Sequence, residues 1–208
     1  MQRLDLRKDL RGLYNPSARE VEIIRVPKFN YLMIDGTGDP NSSPEFAAGI
    51  QALYTASYTL KFMIKKEKLV DYPVMALEGL WWADDLEAFR MGKRDDWKWT
   101  LMILQPGIVT RTYVKKAVAQ AFEKKGLDAL TKLRLEPFAE GLSLQIMHIG
   151  PYAEEGPTIE KVHAYAKDHG LALCGKHHEI YLSDPGRVSP AKMKTVVRQP
   201  VSRVKSTS

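Results

Sequence analysis

The chain runs through one order of elements twice, and such a repeat restricts the fold more than length alone does. Residues 21–34 are rich in β-branched and apolar side chains, with strand character. The turn formers Asp35-Gly36-Thr37-Gly38-Asp39-Pro40-Asn41 follow. Ser43 ahead of Pro44 suits an N-cap with proline in the first helical turn. Phe46, Ile50, Leu53, Leu60 and Ile64 then recur at helical spacing, with Tyr54 beside them, up to the basic pair Lys65-Lys66. Two strand-like runs come next, 74–82 and 97–105, with the polar stretch 83–96 between them.

The second half has the same order. Residues 142–149 read as a strand, Gly150-Pro151-Tyr152 as a turn, and Gly156-Pro157 as the start of a helix carrying Ile159, Val162 and Ala166. That helix stops at Asp168-His169-Gly170, and strands 177–183 and 194–201 follow, joined through Asp184-Pro185-Gly186. Three landmarks recur in one order: proline at each helix start (Pro44, Pro157), glutamate followed by aromatics on each second strand (Glu78, Glu179), and Gln-Pro closing each third strand (Gln105-Pro106, Gln199-Pro200).

The expected fold is therefore α+β, a duplicated βαββ unit with pseudo-twofold symmetry and a ligand cleft between the repeats. The expected boundaries are an N-terminal extension over 1–20 and a first repeat over 21–107. A connecting helix and linker cover 108–135, with the helix itself at 113–126. The second repeat covers 136–201, and 202–208 form a flexible tail.

Bulk properties narrow the function. A hydrophobic share of 44% and a charged share of 27% are those of an ordinary globular protein. The N-terminus has no apolar run, and no stretch is long enough to span a bilayer, so no membrane partner is expected. Cys174 is the lone cysteine, which excludes an intrachain disulfide and points to a cytoplasmic setting. The net charge of +6 is spread over scattered pairs such as Lys115-Lys116 and Lys124-Lys125, so no specific nucleic-acid partner is expected.

Candidate site residues cluster on the second and third strands. In Leu77-Glu78-Gly79-Leu80-Trp81-Trp82, alternation puts Glu78, Leu80 and Trp82 on one face and Leu77, Gly79 and Trp81 on the other. Trp97, Trp99, Leu101 and Ile103 share a face of the next strand, so all four tryptophans lie on neighbouring strands. The plainer alternative is a tryptophan-rich core with Glu78 at a solvated edge. A carboxylate in so apolar a strand needs a partner, however, and Gly79 leaves room beside it, which favours a pocket. In His177-His178-Glu179-Ile180-Tyr181, His177, Glu179 and Tyr181 share a face. There a solvated strand and a pocket are equal readings until the matching glutamate of the first copy tips the balance.

Indoles, phenols and two carboxylates suit flat aromatic ligands, often cationic. Ligand-binding candidates are Glu78, Trp81, Trp82, Trp97, Trp99, Tyr152, Glu179 and Tyr181; Glu78 and Glu179 are the catalytic candidates if the chain is an enzyme. Glu78, amid indoles, is expected to be the more desolvated of the two and the better proton donor. No metal site is expected, because adjacent His177 and His178 point to opposite faces. Gly36-Thr37-Gly38-Asp39 lacks the ending of a phosphate loop, no serine sits in a nucleophile elbow, and no cofactor is expected.

The runs 32–41, 77–82, Trp97-Lys98-Trp99-Thr100, His148-Ile149-Gly150-Pro151-Tyr152 and 178–185 resemble the GyrI-like family, over about residues 21–201. The resemblance implies a duplicated βαββ fold that binds lipophilic cations through a buried glutamate, which Glu179 matches. Some relatives are effector-binding domains fused to AraC-type or MerR-type DNA-binding regions. The twenty or so residues before the first repeat are too few for such a region, which makes a transcriptional adaptor the weakest reading. The Glu-Gly-Leu-Trp-Trp run resembles the stand-alone branch that hydrolyses cyclopropane-bearing DNA alkylators within an aromatic cage.

Overall fold

In the computed structural model, which describes residues 1–84 and 94–204, period-two and period-3.6 patterns settle into an α+β arrangement of two units. The first comprises Met1–Asp9 and Phe29–Phe138, the second Leu10–Lys28 and Ala139–Ser208. Most of the polar stretch expected over 83–96, and the end of the tail, lie outside the described residues.

The N-terminal residues are built into both units. Strand β1 (Gln2–Arg3) pairs in parallel with β3 (Val70–Asp71), and Arg7 donates to the Val74 carbonyl at 3.0 Å. Two single-turn helices, α1 (Leu6–Asp9) and α2 (Arg11–Tyr14), follow β1.

The first unit is built from β2 (Glu22–Thr37, in this unit from Phe29), α3 (Pro44–Lys68), β4 (Leu77–Trp82), β5 (Lys98–Gln105) and α4 (Arg111–Lys125). Ser43 caps α3 as expected, its hydroxyl accepting from Phe46 N at 3.3 Å. Strand β5 lies between β2 and β4, antiparallel to both. The register stacks Gly36, Trp99 and Trp81 in one row, and Met33, Met102 and Glu78 in a row on the other face.

The turn expected at 35–41 begins later, because β2 continues through Thr37. A Cβ on Gly36 would lie 2.1 Å from the Trp99 ring, so glycine is there to let the indole lie against the strand. Helix α3 covers the Trp99 face: Phe46 meets Trp99 and Trp81 at centroid distances of 5.2 and 5.7 Å, and a Cβ on Gly49 would lie 3.3 Å from Ile34. Helix α4, the expected connector, is bounded by Thr110 and by Gly126 at φ 61°. It packs along α3 through Val114, Ala117 and Ala121, whereas Phe122 is exposed.

The second unit takes β6 (Arg134–Ile149, in this unit from Ala139), α5 (Gly156–Asp168), β7 (Leu171–Leu173), β8 (His177–Tyr181) and β9 (Lys194–Arg203). Here too the last strand is central, β9 lying between β6 and β8 and antiparallel to both. Val162 and Ala166 of α5 belong to one apolar cluster with Leu144, Ile146, Val197 and Val201. Each fully buried aliphatic side chain contributes about 1.5–3 kcal/mol, enough to fix which face the helix covers. Short β7, which the sequence pattern did not reveal, extends the β9 edge by pairing Leu171 with Arg203.

Both units thus run strand, helix, strand, strand with the last strand central, and Glu78 and Glu179 lie on corresponding strands. Their faces differ. Glu78 is on the side away from α3, in a row with Met102 and Met33, whereas Glu179 shares the α5 side with Val197 and Ile146. With a side-chain period of two, a one-residue difference in register reverses the face.

Candidate functional site

In the second unit the α5-covered face changes character along its length. Beneath the body of the helix it is apolar; towards the helix N-terminus it turns polar. Thr195 of β9 stands opposite His148 of β6 and Tyr181 of β8, and Glu179 lies in the next row. Gly150, at φ 146°, turns the chain out of β6. The His148 ring then meets Thr158 Oγ1 at 2.9 Å through Nδ1 and the Pro151 carbonyl at 3.3 Å through Nε2. A carbonyl only accepts, so Nε2 carries a proton towards Pro151, and Nδ1 pairs with the Thr158 hydroxyl. These contacts tie the first turn of α5 to the sheet.

Glu179 is the centre of the polar end. Tyr181 donates its hydroxyl to Glu179 Oε2 at 2.7 Å, and His177 Nε2 lies 3.1 Å from Oε1. The ring of Tyr152 meets that of Tyr181 edge-on, with centroids 5.5 Å apart. Glu155, the residue at the α5 N-cap position, leaves the helix N–H groups uncapped by its side chain and is only 4% exposed. Glu155 Oε1 is buried without a hydrogen-bond partner, and Thr195 is buried close by.

A buried carboxyl beside a half-buried one cannot ionise cheaply while its neighbour is charged. Burial first, and the neighbouring Glu179 charge second, push the Glu155 carboxyl up to about 9, against a smaller opposing pull from the Thr195 hydroxyl. Burial pushes Glu179 upward too, but hydrogen bonds from His177, Tyr181 and Glu155 outweigh it and hold that carboxyl below its usual range. The pair therefore holds one proton at neutral pH, carried by Glu155, with Glu179 as the anion.

The other face of the same strands holds a closed ion network. Glu140 accepts from His178 Nδ1 at 2.9 Å and from Arg198 at 3.2 Å, and all three side chains are buried. Arg198 also reaches Gln145 Oε1 at 3.1 Å and the Leu13 carbonyl at 2.6 Å, while Gln145 donates to the Gly12 carbonyl at 2.8 Å. Burial raises the Glu140 carboxyl, but His178 and Arg198 more than compensate and leave it lowered. Every charge here is answered within the network, and His177 and His178 diverge to opposite faces as alternation requires.

In the first unit the sequence-derived residues separate. Trp99 and Trp81 are buried beneath α3 around Phe46, and Trp97 meets Trp81 at 5.8 Å. Glu78 is fully buried on the opposite face, which it shares with Leu80 and Trp82. Trp81 and Trp99 thus pack as core on the side away from Glu78, Trp97 is half-buried against Trp81, and Trp82, also half-buried, is on the Glu78 side. Glu78 and Trp81 are three residues apart on β4, an odd step, and face opposite sides as alternation requires.

Of the sequence-derived residues, the second unit brings together Tyr152, Glu179 and Tyr181. Sequence reasoning missed Glu155 and Thr195. Glu154-Glu155 before Gly-Pro reads as a solvated turn, and nothing local marks Glu155 as buried.

With this geometry in hand, the chain can be placed. It belongs to the GyrI-like small molecule binding domain family, whose sequence profile matches residues 19–202. It is similar to an uncharacterized conserved protein from Listeria innocua, at 39% identity and a TM-score of 0.86 over 96% of this chain and 100% of that one. A hydrolase from Listeria innocua is 38% identical, with a TM-score of 0.83 over 96% and 100% of the two chains. A hydrolase encoded by lin2189 from the same organism is 37% identical, also at 0.83, over 97% and 100%. No curated protein matches the chain.

Proposed function

We propose that this chain binds planar aromatic small molecules, cations above all, and that Glu179 anchors the positive charge. The observation that carries the reading is the Glu179 carboxylate: half-buried, and oriented by hydrogen bonds from His177 and Tyr181 beside the Tyr152 ring. A flat cation satisfies both features, its charge facing the carboxylate and its ring meeting phenols. Family membership supports a small molecule as the ligand. In the first unit we assign ligand-facing roles to Glu78 and Trp82, and packing roles to Trp81, Trp97 and Trp99.

The test is calorimetric titration with N-methylphenanthridinium and with phenanthridine, two rings of like shape that differ in charge. Both should saturate, the cation more tightly. Glu179→Gln should weaken the cation by about 10- to 100-fold, the range of a desolvated cation–anion or cation–π contact, and the neutral ring far less. Equal loss for both ligands, or none, would refute Glu179 as the anchor.

The single shared proton favours a second reading, hydrolysis, which the Listeria innocua hydrolases also support. For a cyclopropane conjugated to a carbonyl, Glu155 gives its proton to the carbonyl oxygen while water adds to the ring CH₂ and the strained C–C bond breaks. Glu179 takes the proton lost by water. The product is a phenol bearing a hydroxyethyl-type arm, and the pair again holds one proton, moved from Glu155 to Glu179. Incubation with a cyclopropane-bearing alkylator, read by mass spectrometry for uptake of one water, tests it. Binding without that product would leave a binding protein.

A further inference from the structure

Glu155 is the buried group that cation binding at Glu179 does not by itself explain. It is buried at the N-terminus of α5 without capping it, and its Oε1 closes no hydrogen bond. Glu179, in contrast, has one oxygen engaged by His177 and the other by Tyr181. A ligand entering this end of the face therefore finds an open polar atom on Glu155. We propose that the site exchanges a proton for its ligand's charge: a monocation seated against the two carboxyls displaces the Glu155 proton to solvent. This rests on the reading of Glu179 as a cation anchor and deepens it.

The charge arithmetic is simple. Empty, the pair carries one negative charge; with a cation bound it can carry two, because the ligand offsets the repulsion that held the proton. The O–H bond of Glu155 breaks, its electron pair stays on the carboxylate, and the proton goes to buffer. The N-terminus of a thirteen-residue helix favours the extra anion further. Other titratable groups facing the pair within this unit are His177 and Tyr181 on β8, His148 on β6, and Tyr152 and Glu154 in the turn before α5. The test separates these neighbours from Glu155.

The experiment is calorimetry on the wild-type chain with N-methylphenanthridinium in phosphate and in Tris at one pH. The difference in heat, divided by the difference in buffer ionisation enthalpy, counts protons released. About one proton per cation is expected, with affinity rising up to about tenfold per pH unit over roughly pH 6 to 9. Phenanthridine should release none. Glu155→Gln should bind the cation with an affinity that no longer follows pH.

Saturable binding with equal heats in both buffers overturns the exchange and leaves the cation anchor standing. Proton release that persists in Glu155→Gln assigns it to another group and also overturns the proposal. If neither ring binds at any pH, the anchor reading and the exchange fall together. Should Glu155→Gln fail to fold, the wild-type comparison between buffers still decides whether a proton leaves.

Discussion

Gly36 shows how one missing side chain can specify a core. The Trp99 indole lies where a Cβ on Gly36 would stand, at 2.1 Å from a ring carbon, and Trp99 is itself fully buried. The far side of the indole is closed by Phe46, so the ring has little freedom to retreat. Gly36→Ala should therefore destabilise the protein by about 1–3 kcal/mol, the usual effect of overpacking. Urea denaturation measures this directly. A change within about 0.5 kcal/mol would mean that the indole shifts without penalty. Glu155 makes the complementary point: by sequence it is one of two adjacent turn glutamates, and burial alone gives it its chemistry.

At the scale of elements, the Glu140–His178–Arg198 network joins β6, β8 and β9, and through the Leu13 carbonyl it holds the segment that carries α2. Removing one partner of a buried ion network leaves the other charge unanswered, which costs about 3–5 kcal/mol. Arg198→Met should lose that much in urea denaturation and should speed amide exchange in Leu10–Lys28. Adding Glu140→Gln to Arg198→Met should recover part of the loss, since the stranded carboxylate is then gone. A single variant that loses less than about 1 kcal/mol would show that water, not Arg198, satisfies Glu140.

For the whole molecule, the two buried carboxylate systems give stability opposite dependences on pH. Glu140 is held below its usual range, so its contribution is present above the unfolded value and is lost as acid protonates it. Glu155 is pushed up to about 9, so between the ordinary glutamate range and that value the folded state binds the extra proton. Stability then falls as pH rises through this window, by up to about 1.4 kcal/mol per unit from this one group. Denaturation midpoints across pH should show that alkaline decline in the wild type and a flatter profile in Glu155→Gln. Parallel profiles would place the proton elsewhere.

What the sequence determined by itself is whatever depends on near neighbours. The order strand, helix, strand, strand in each half, the Ser43 cap, the division of Glu78 from Trp81 and of His177 from His178, and Glu179 with Tyr181 on one face all follow from periods of two and 3.6. Which face each helix covers did not follow, since both faces of β4 and β5 are apolar. That choice made Trp81 and Trp99 core and left Glu78 on the far side. Nor did the pairing of Glu155 with Glu179, which arises only when α5 docks on β6 and β9. Electrostatic coupling depends on distance through space and on the water removed between groups, and the docked helix set both.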